Sequence, residues 1–446
     1  MPERLFGTDG VRGKAGVPPL DVRTVRRLGA ALVRAFGSGG RPLALLIGRD
    51  TRESGAWIER ELAHGARAEG ATVTSAGVIS TPAVAFLTRH GAYDAGVVIS
   101  ASHNPFADNG IKVFSGAGEK YTEQFERQVE EIVADESWQE PSGEATAVHA
   151  SDLAGPYLEH ARAALPDRER LGALRIAVDC ANGATAALAP PLLRDLGFDV
   201  VSLACAPDGR NINLGCGSTH PERLAQVVRE EGCRLGAAFD GDGDRAIFAD
   251  HAGRIVDGDA VMLMCAKYLK TVGRLRGNAI VATVMSNIGL EIGLRRLGID
   301  LVRCPVGDKY VMEELISRDL ALGGEQSGHV IFSDYLFTGD GLVTALSVLQ
   351  TMAATGKELA ELAAELTTYP QVLLNVRVAR RVDLAEVPAV MAAVARVEAR
   401  LGTEGRLLVR YSGTEPLLRI MLEGQDQDQI REWAEEIAAE VRAHLA

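Results

Sequence analysis

One pattern recurs three times in this chain and limits its fold more than any other feature. An apolar strand at residues 43–47 leads through a polar loop to a helical stretch at 57–68, then to a second strand at 72–78. A second helical stretch, 83–90, precedes a third strand that ends near Ser102. The same order returns from residues 174–178 to the loop 240–244, and again from 280–284 to 324–329. Strands alternating with helical stretches predict mainly parallel sheets covered by helices. Each copy closes on a short apolar segment (111–114, 246–248 and 330–332), read as an antiparallel edge strand. Every copy is long enough to bury a core of its own, so these are three domains of one fold and not a solenoid.

The joints are legible too. An acidic, breaker-rich link at 135–152, with Pro141-Ser142-Gly143, ends the first copy, and a helix at 153–165 opens the second. A break near Tyr369-Pro370 introduces a tail that reads strand, helix, strand, strand, helix, a small α+β domain. The expected fold class is α/β: three similar α/β domains with mixed, mainly parallel sheets, plus a C-terminal α+β domain. The expected domains are 1–150, 151–254, 255–368 and 369–446, which suits a chain of 446 residues at roughly 100–200 residues per domain.

A net charge of -13 disfavours a general binder of nucleic acid or of anionic membranes, so an anionic substrate must find local Arg and Lys. The first residues lack a signal-peptide pattern, and no stretch approaches the roughly 18 apolar residues of a membrane span. The six cysteines are scattered without a Cys-x-x-Cys pair, which reads as buried thiols in a reducing cytoplasm. The expectation is a cytoplasmic protein with neither nucleic acid nor membrane as partner.

The third strand of each copy runs into a different polar loop, the position where α/β sheets bind ligands. The first holds Ser100-Ala101-Ser102-His103-Asn104-Pro105, which presents the Ser102 hydroxyl on a tight turn. The second holds Asp240, Asp242 and Asp244 at alternate positions, so that in an extended segment the carboxylates project to one side. Three hard oxygen ligands with places left over suit one Mg²⁺. An EF-hand is excluded, because its sixth and twelfth positions hold Arg245 and His251. Arg245 is either a phosphate contact or a salt-bridge partner.

A neutral serine needs a base or a metal to act as nucleophile. A cation beside Ser102 would serve phosphoryl chemistry. A hydrolytic triad is the other option, but the chain has no Gly-x-Ser-x-Gly elbow. In most turn geometries His103, next to the serine, points elsewhere. Lys112 is read as a general acid or base, or as a phosphate contact. In the third loop, Glu325 and Ser327 suit vicinal sugar hydroxyls or an amino group, and His329 closes the loop. The tail holds Arg410-Tyr411-Ser412-Gly413-Thr414, with Arg419 beyond, a composition that suits an anion pocket. The N-terminal Phe6-Gly7-Thr8-Asp9-Gly10-Val11-Arg12-Gly13 is not a Walker A, since Ala15 follows Lys14. Arg12, on what reads as a mobile Gly-rich stretch, can reach a phosphate near Ser102.

Taken in order, Ser-Ala-Ser-His-Asn-Pro, Asp-Gly-Asp-Gly-Asp-Arg, Gly-Glu-Gln-Ser-Gly-His and Arg-Tyr-Ser-Gly-Thr-Glu-Pro resemble the α-D-phosphohexomutase superfamily over the whole chain. The wording of residues 6–13 and 325–329 resembles its bacterial branch acting on glucosamine phosphates. The resemblance implies four domains around a central cleft, and interconversion of glucosamine 6-phosphate and glucosamine 1-phosphate for amino-sugar nucleotide and cell-wall synthesis. It implies a phosphoserine at Ser102, which completes the Mg²⁺ site with Asp240, Asp242 and Asp244. A sugar 1,6-bisphosphate is the implied intermediate and activator. Glu325 and Ser327 match the sugar loop, and Arg410, Ser412, Gly413, Thr414 and Arg419 match the distal phosphate pocket. Arg12, His103, Lys112, Arg245, Lys309 and His329 match supporting catalytic or substrate positions. The partner is then a small phosphosugar, with a homodimer left open. The competing readings are a phosphomannomutase or phosphoglucomutase, a metal-dependent phosphatase, and a non-catalytic sugar-phosphate sensor.

Overall fold

The computed structural model describes residues 4–7, 9–37, 41–412 and 416–445. The first sheet has six strands in the order Phe6–Gly7, Gly10–Lys14, Asp108–Ser115, Ala95–Ile99, Ala44–Arg49, Thr72–Val78. Its last three strands run parallel and carry the all-apolar centre of the sheet, with Ile47, Val97 and Ile99 fully buried. Helices Val22–Phe36 and Gly55–Ala68 cover one face. They cross at Gly29 and Gly65, where a Cβ on either would collide with the backbone of the other helix.

The second sheet has the order Ile255–Val256, Ala246–Asp250, Leu235–Phe239, Arg175–Asp179, Asp199–Leu203. The third has the order Asp300–Cys304, Ala279–Thr283, Leu322–Gly324, Val330–Phe332. Each therefore repeats the strand–helix–strand–helix–strand order read from the sequence. The expected antiparallel edge strand needs correction in two copies. Asp108–Ser115 is interior, because the N-terminal hairpin pairs along its outer side, with Val11 opposite Ile111. Ala246–Asp250 is flanked by the short strand Ile255–Val256. Only Val330–Phe332 ends its sheet among the described residues. The hairpin corrects a second expectation. Arg12 lies in a paired strand, not on a mobile stretch, and the extra strand covers backbone groups that an open edge would expose.

By internal contacts the chain forms two compact units. One comprises residues 1–285 and 301–364, the other 286–300 and 365–446. The second contains a three-stranded antiparallel sheet in the order Gln371–Arg377, Leu417–Glu423, Arg406–Tyr411, with helices Pro388–Leu401 and Gln427–Leu445 packed against it. Helix Ile288–Arg296, which the repeat assigns to the third copy, falls in this unit. Ile288 and Ile292 share a small core with Tyr369, and Glu423 Oε2 accepts from the Ile288 N–H at 3.0 Å. Among the described residues, no helix is long and apolar enough to cross a membrane.

The helix Ala154–Arg162 is seated by an aromatic stack. The His160 ring lies 4.4 Å from Phe86, and Phe86 lies 4.2 Å from His90. His160 Nε2 is buried without a hydrogen-bond partner. Burial, with His90 and Arg89 nearby, pushes the His160 imidazole down to about 4 from 6.5. A depressed histidine contributes stability that is complete above pH 6.5 and lost as the pH falls through about 4. Melting temperature is expected to drop across that window, and His160→Phe to flatten the drop. An equal drop in the variant would locate the acid sensitivity elsewhere.

Candidate active site

Ser102 follows the fully buried strand Ala95–Ile99 and adopts φ +50°, a left-handed conformation uncommon outside glycine. Holding a non-glycine residue there costs of order 1–3 kcal/mol, so the surroundings must fix it. Ser100 Oγ accepts from the Ser102 N–H at 2.9 Å and donates to Asp50 Oδ2 at 2.6 Å. Asp50 in turn accepts from Arg52 Nε at 2.8 Å. The Arg52 guanidinium fans out to four backbone carbonyls of the same loop: Ser102 at 3.0 Å, Asn104 at 2.8 Å, Asp108 at 3.0 Å, and Pro105. Asn213 Nδ2 adds a second bond to the Ser102 carbonyl at 2.9 Å. Neither Arg52 nor Asn213 stood out in the sequence.

The loop after Leu235–Phe239 reaches this serine. Gly241 is where the two loops touch, since a Cβ there would stand 2.7 Å from the Ser102 carbonyl oxygen. The Ser102 hydroxyl donates to Asp240 Oδ2 at 2.5 Å. Carboxylate oxygens of Asp240, Asp242 and Asp244 lie within 4.8 Å of one another, and all three residues are buried. Asp242 Oδ2 accepts from Thr81 Oγ1 at 2.6 Å and from Lys112 Nζ at 2.9 Å, and Asp244 Oδ2 accepts from Lys112 at 3.3 Å. Asp242 Oδ1 and Asp244 Oδ1 have no hydrogen-bond partner.

The electrostatics show what the trio lacks. Burial, together with Asp244 and Asp242, pushes the Asp240 carboxyl well above its ordinary value. Burial would do the same to Asp242, but Lys112 and Thr81 hold it below. Three buried carboxylates cannot all ionise without a countercharge. The two oxygens without a hydrogen-bond partner, the Asp240 carboxylate that accepts from the Ser102 hydroxyl and the Arg245 N–H, and an all-oxygen donor set fit a hard divalent cation.

Lys112 is buried, with Asp9 Oδ2 a further 3.1 Å away. Burial alone would push its ammonium down, but Asp242, Asp9 and Asp244 hold it well above the usual lysine value. It is therefore a hydrogen-bond donor and a fixed positive charge. His103 Nδ1 lies 3.3 Å from Ser102 Oγ, so it does not point away from the serine as turn geometry suggests. Burial, with Arg245 and Arg12 nearby, lowers its imidazole, which favours the neutral ring that can accept a proton.

A cavity of about 330 Å³ opens in front of these groups. Arg12, His103 and Arg245 line it beside the serine, and Asp9, Asp308, Glu325 and His329 line it elsewhere. Asp9 pairs with Arg12 and Lys120, and Lys120 pairs with Asp308. In the third loop Glu325 Oε1 accepts from the Gly307 N–H at 3.2 Å, and Ser327 Oγ donates to Glu325 Oε2 at 3.3 Å. Both His329 ring nitrogens are buried without a hydrogen-bond partner, and Nε2 lies 3.6 Å from Asp308. Lys309 instead contacts Glu126 at 3.2 Å. Loops of all three α/β domains thus meet at one opening. Asp9, Thr81, Lys120 and Asp308 join the residues read from the sequence.

In the C-terminal unit Arg410 and Arg419 are register partners on adjacent antiparallel strands, and Arg419 Nη2 donates to buried Ser412 Oγ at 3.3 Å. Gly413 and Thr414 lie outside the described residues.

Four family descriptions match the chain in order. The alpha/beta/alpha domains I, II and III of phosphoglucomutase/phosphomannomutase match residues 3–140, 155–253 and 257–369, and the C-terminal domain matches 373–440. A curated phosphoglucosamine mutase of Solibacter usitatus is 48% identical over 100% of both chains. The crystal structure of a phosphoglucomutase/phosphomannomutase family protein from Burkholderia thailandensis superposes with TM-score 0.81 at 25% identity, covering 99% of this chain and 97% of that one. An Aspergillus fumigatus N-acetylphosphoglucosamine mutase, solved with GlcNAc-6P and magnesium, shares the fold at TM-score 0.63 and 18% identity, covering 98% of this chain and 95% of that one.

Proposed function

We propose that this chain, which belongs to the phosphoglucomutase/phosphomannomutase family along all four of its domains, interconverts glucosamine 6-phosphate and glucosamine 1-phosphate. It is then an isomerase that supplies amino-sugar nucleotide synthesis. The observation that carries this reading is the Ser102 hydroxyl seated 2.5 Å from Asp240 at the edge of a buried acidic trio. The 48% identity to a phosphoglucosamine mutase supports the choice of sugar.

The working enzyme carries a phosphoryl group on Ser102. Glucosamine 6-phosphate offers its 1-hydroxyl to that group. A bond forms from O1 to phosphorus as the bond from Ser102 Oγ breaks, and the proton from the 1-hydroxyl ends on Oγ. His103, 3.3 Å from Oγ, can relay it. The 1,6-bisphosphate then turns over, and Oγ takes the phosphoryl from O6 while the proton passes back to O6. One serine serves both halves, and no phosphate is consumed.

Asp240, Asp242 and Asp244, with the Ser102 phosphate, would hold one Mg²⁺, which neutralises phosphoryl charge and aligns the reacting oxygens. Lys112 and Arg12 add fixed positive charge, and Arg245 contacts a phosphate. Glu325, Ser327 and His329 take the sugar hydroxyls and the amino group. Arg410, Ser412 and Arg419, together with Gly413 and Thr414, are assigned to the phosphate that is not being transferred.

Coupled assays on the 6-phosphates of glucosamine, glucose and mannose test the reading. Glucosamine is expected to have the highest kcat/KM, and a preference for glucose or mannose would move the chain to the neighbouring activity. Free phosphate as the main product would mark a phosphatase. Dialysis against a chelator is expected to abolish turnover and Mg²⁺ to restore it, whereas full activity in excess chelator would remove the metal from the scheme.

A further inference from the structure

We infer that Thr81 of the first domain is a positioning residue for the metal site, because it fixes which oxygen of Asp242 faces the acidic trio. The inference rests on the reading of that trio as a cation site. Thr81 opens the helix Thr81–His90 and is buried to 1% exposure. It grips Asp242 twice. Its N–H donates to the Asp242 carbonyl oxygen at 2.8 Å, and its hydroxyl donates to Asp242 Oδ2 at 2.6 Å. Oδ1 is left buried and without a partner, the oxygen free to serve as ligand.

Lys112 cannot do this alone. Its ammonium stands among three carboxylates, at 2.9 Å from Asp242, 3.1 Å from Asp9 and 3.3 Å from Asp244. A rotatable point charge shared in this way attracts all three but sets the rotation of none. The Thr81 hydroxyl is directional, and a β-branched side chain in a helix has few rotamers. The residue before it bears on the same loop, since Ser80 Cβ lies 3.1 Å from where a Gly243 Cβ would stand. The first domain therefore holds the acidic loop through three side chains, Ser102 on Asp240, Lys112 on Asp242 and Asp244, and Thr81 on Asp242. Groups that orient a metal ligand from behind typically carry about 10–100-fold in metal affinity.

The test uses Mn²⁺ as probe on the full-length protein carrying phosphate on Ser102, with free Mn²⁺ measured by electron paramagnetic resonance. Thr81→Val, which keeps the shape and loses the donor, is expected to weaken Mn²⁺ binding by about 10–100-fold. Thr81→Ser, which keeps the hydroxyl, is expected to stay close to wild type. Thermal melting monitors folding, and Thr81→Ala carries the same expectation should the valine variant not fold. Wild-type affinity in Thr81→Val would overturn the inference, as would an equal loss in Thr81→Ser. Absence of Mn²⁺ binding by the wild-type protein would instead overturn the underlying metal site.

Discussion

Ser102→Ala is expected to lower turnover of glucosamine 6-phosphate by at least about four orders of magnitude, the scale on which removing a covalent nucleophile acts. No neighbour can take over. Ser100 Oγ is committed to Asp50 at 2.6 Å and to the Ser102 N–H, and Thr81 Oγ1 is committed to Asp242 at 2.6 Å. Lys112 and Arg12, held cationic, offer no lone pair to phosphorus, and His103 is assigned to the proton relay. The fold should hardly notice the change. The hydroxyl's bonds to Asp240 and to His103 Nδ1 are lost, which with a buried Asp240 oxygen left unpaired costs about 1–3 kcal/mol, a melting shift of a few degrees. Mass spectrometry of the wild-type protein is expected to find one phosphate on the peptide that holds Ser102 and none on the variant. Turnover within tenfold of wild type in a folded Ser102→Ala protein would end the phosphoserine mechanism.

What could be read from the sequence, and what could not, divides along contact range. Ser102 and the aspartates at 240, 242 and 244 were legible because each group follows directly on a wholly buried strand, Ala95–Ile99 or Leu235–Phe239. Strand-end chemistry is local, and so is the alternation that groups three carboxylates. Lys120 was not legible. Lysine is mostly exposed, and this one is buried between Asp9 and Asp308, which meet it from 111 and 188 positions away. Thr81 and Asp242 are separated by 161 positions, and nothing near Thr81 announces its partner. Helix Gly341–Thr355 is buried on nearly every face, so it shows no polar side to set a helical period. Helix Ile288–Arg296 carries the third copy's pattern, but Glu423 and Tyr369 join it to the C-terminal unit. Arg12 and His103 stood out in the sequence, but their surroundings were misread. The N-terminal hairpin pairs along strand Asp108–Ser115 and the turn at Ser102 is held by Arg52, which local composition does not report.

Removing Arg52 should be the most damaging change that touches neither substrate nor metal ligand. Its side chain is fully buried with that of Asp50, and truncating one partner of such a pair costs about 3–5 kcal/mol, because the other charge stays behind unpaired. Arg52→Met should therefore lower the denaturant midpoint sharply. It also takes a donor from the carbonyls of Ser102, Asn104, Pro105 and Asp108, leaving Asn213 on the first two and the Asp108 N–H on the third, and so loosens the contacts that hold Ser102 at φ +50°. Arg52→Lys keeps a charge for Asp50 but loses the planar fork, so it should regain part of the stability and little of the activity. The double variant Asp50→Asn with Arg52→Met separates the two roles. It removes the stranded carboxylate and should recover a substantial part of the midpoint, yet kcat should remain at least about tenfold depressed, since misplacement of the nucleophile by as little as 1 Å can cost about 10²-fold. If kcat returned together with stability in the double variant, the guanidinium would serve only to neutralise Asp50, and the posture of Ser102 would have another source. If kcat stays low in a protein that is stable again, the fan of carbonyl contacts is what aims the serine.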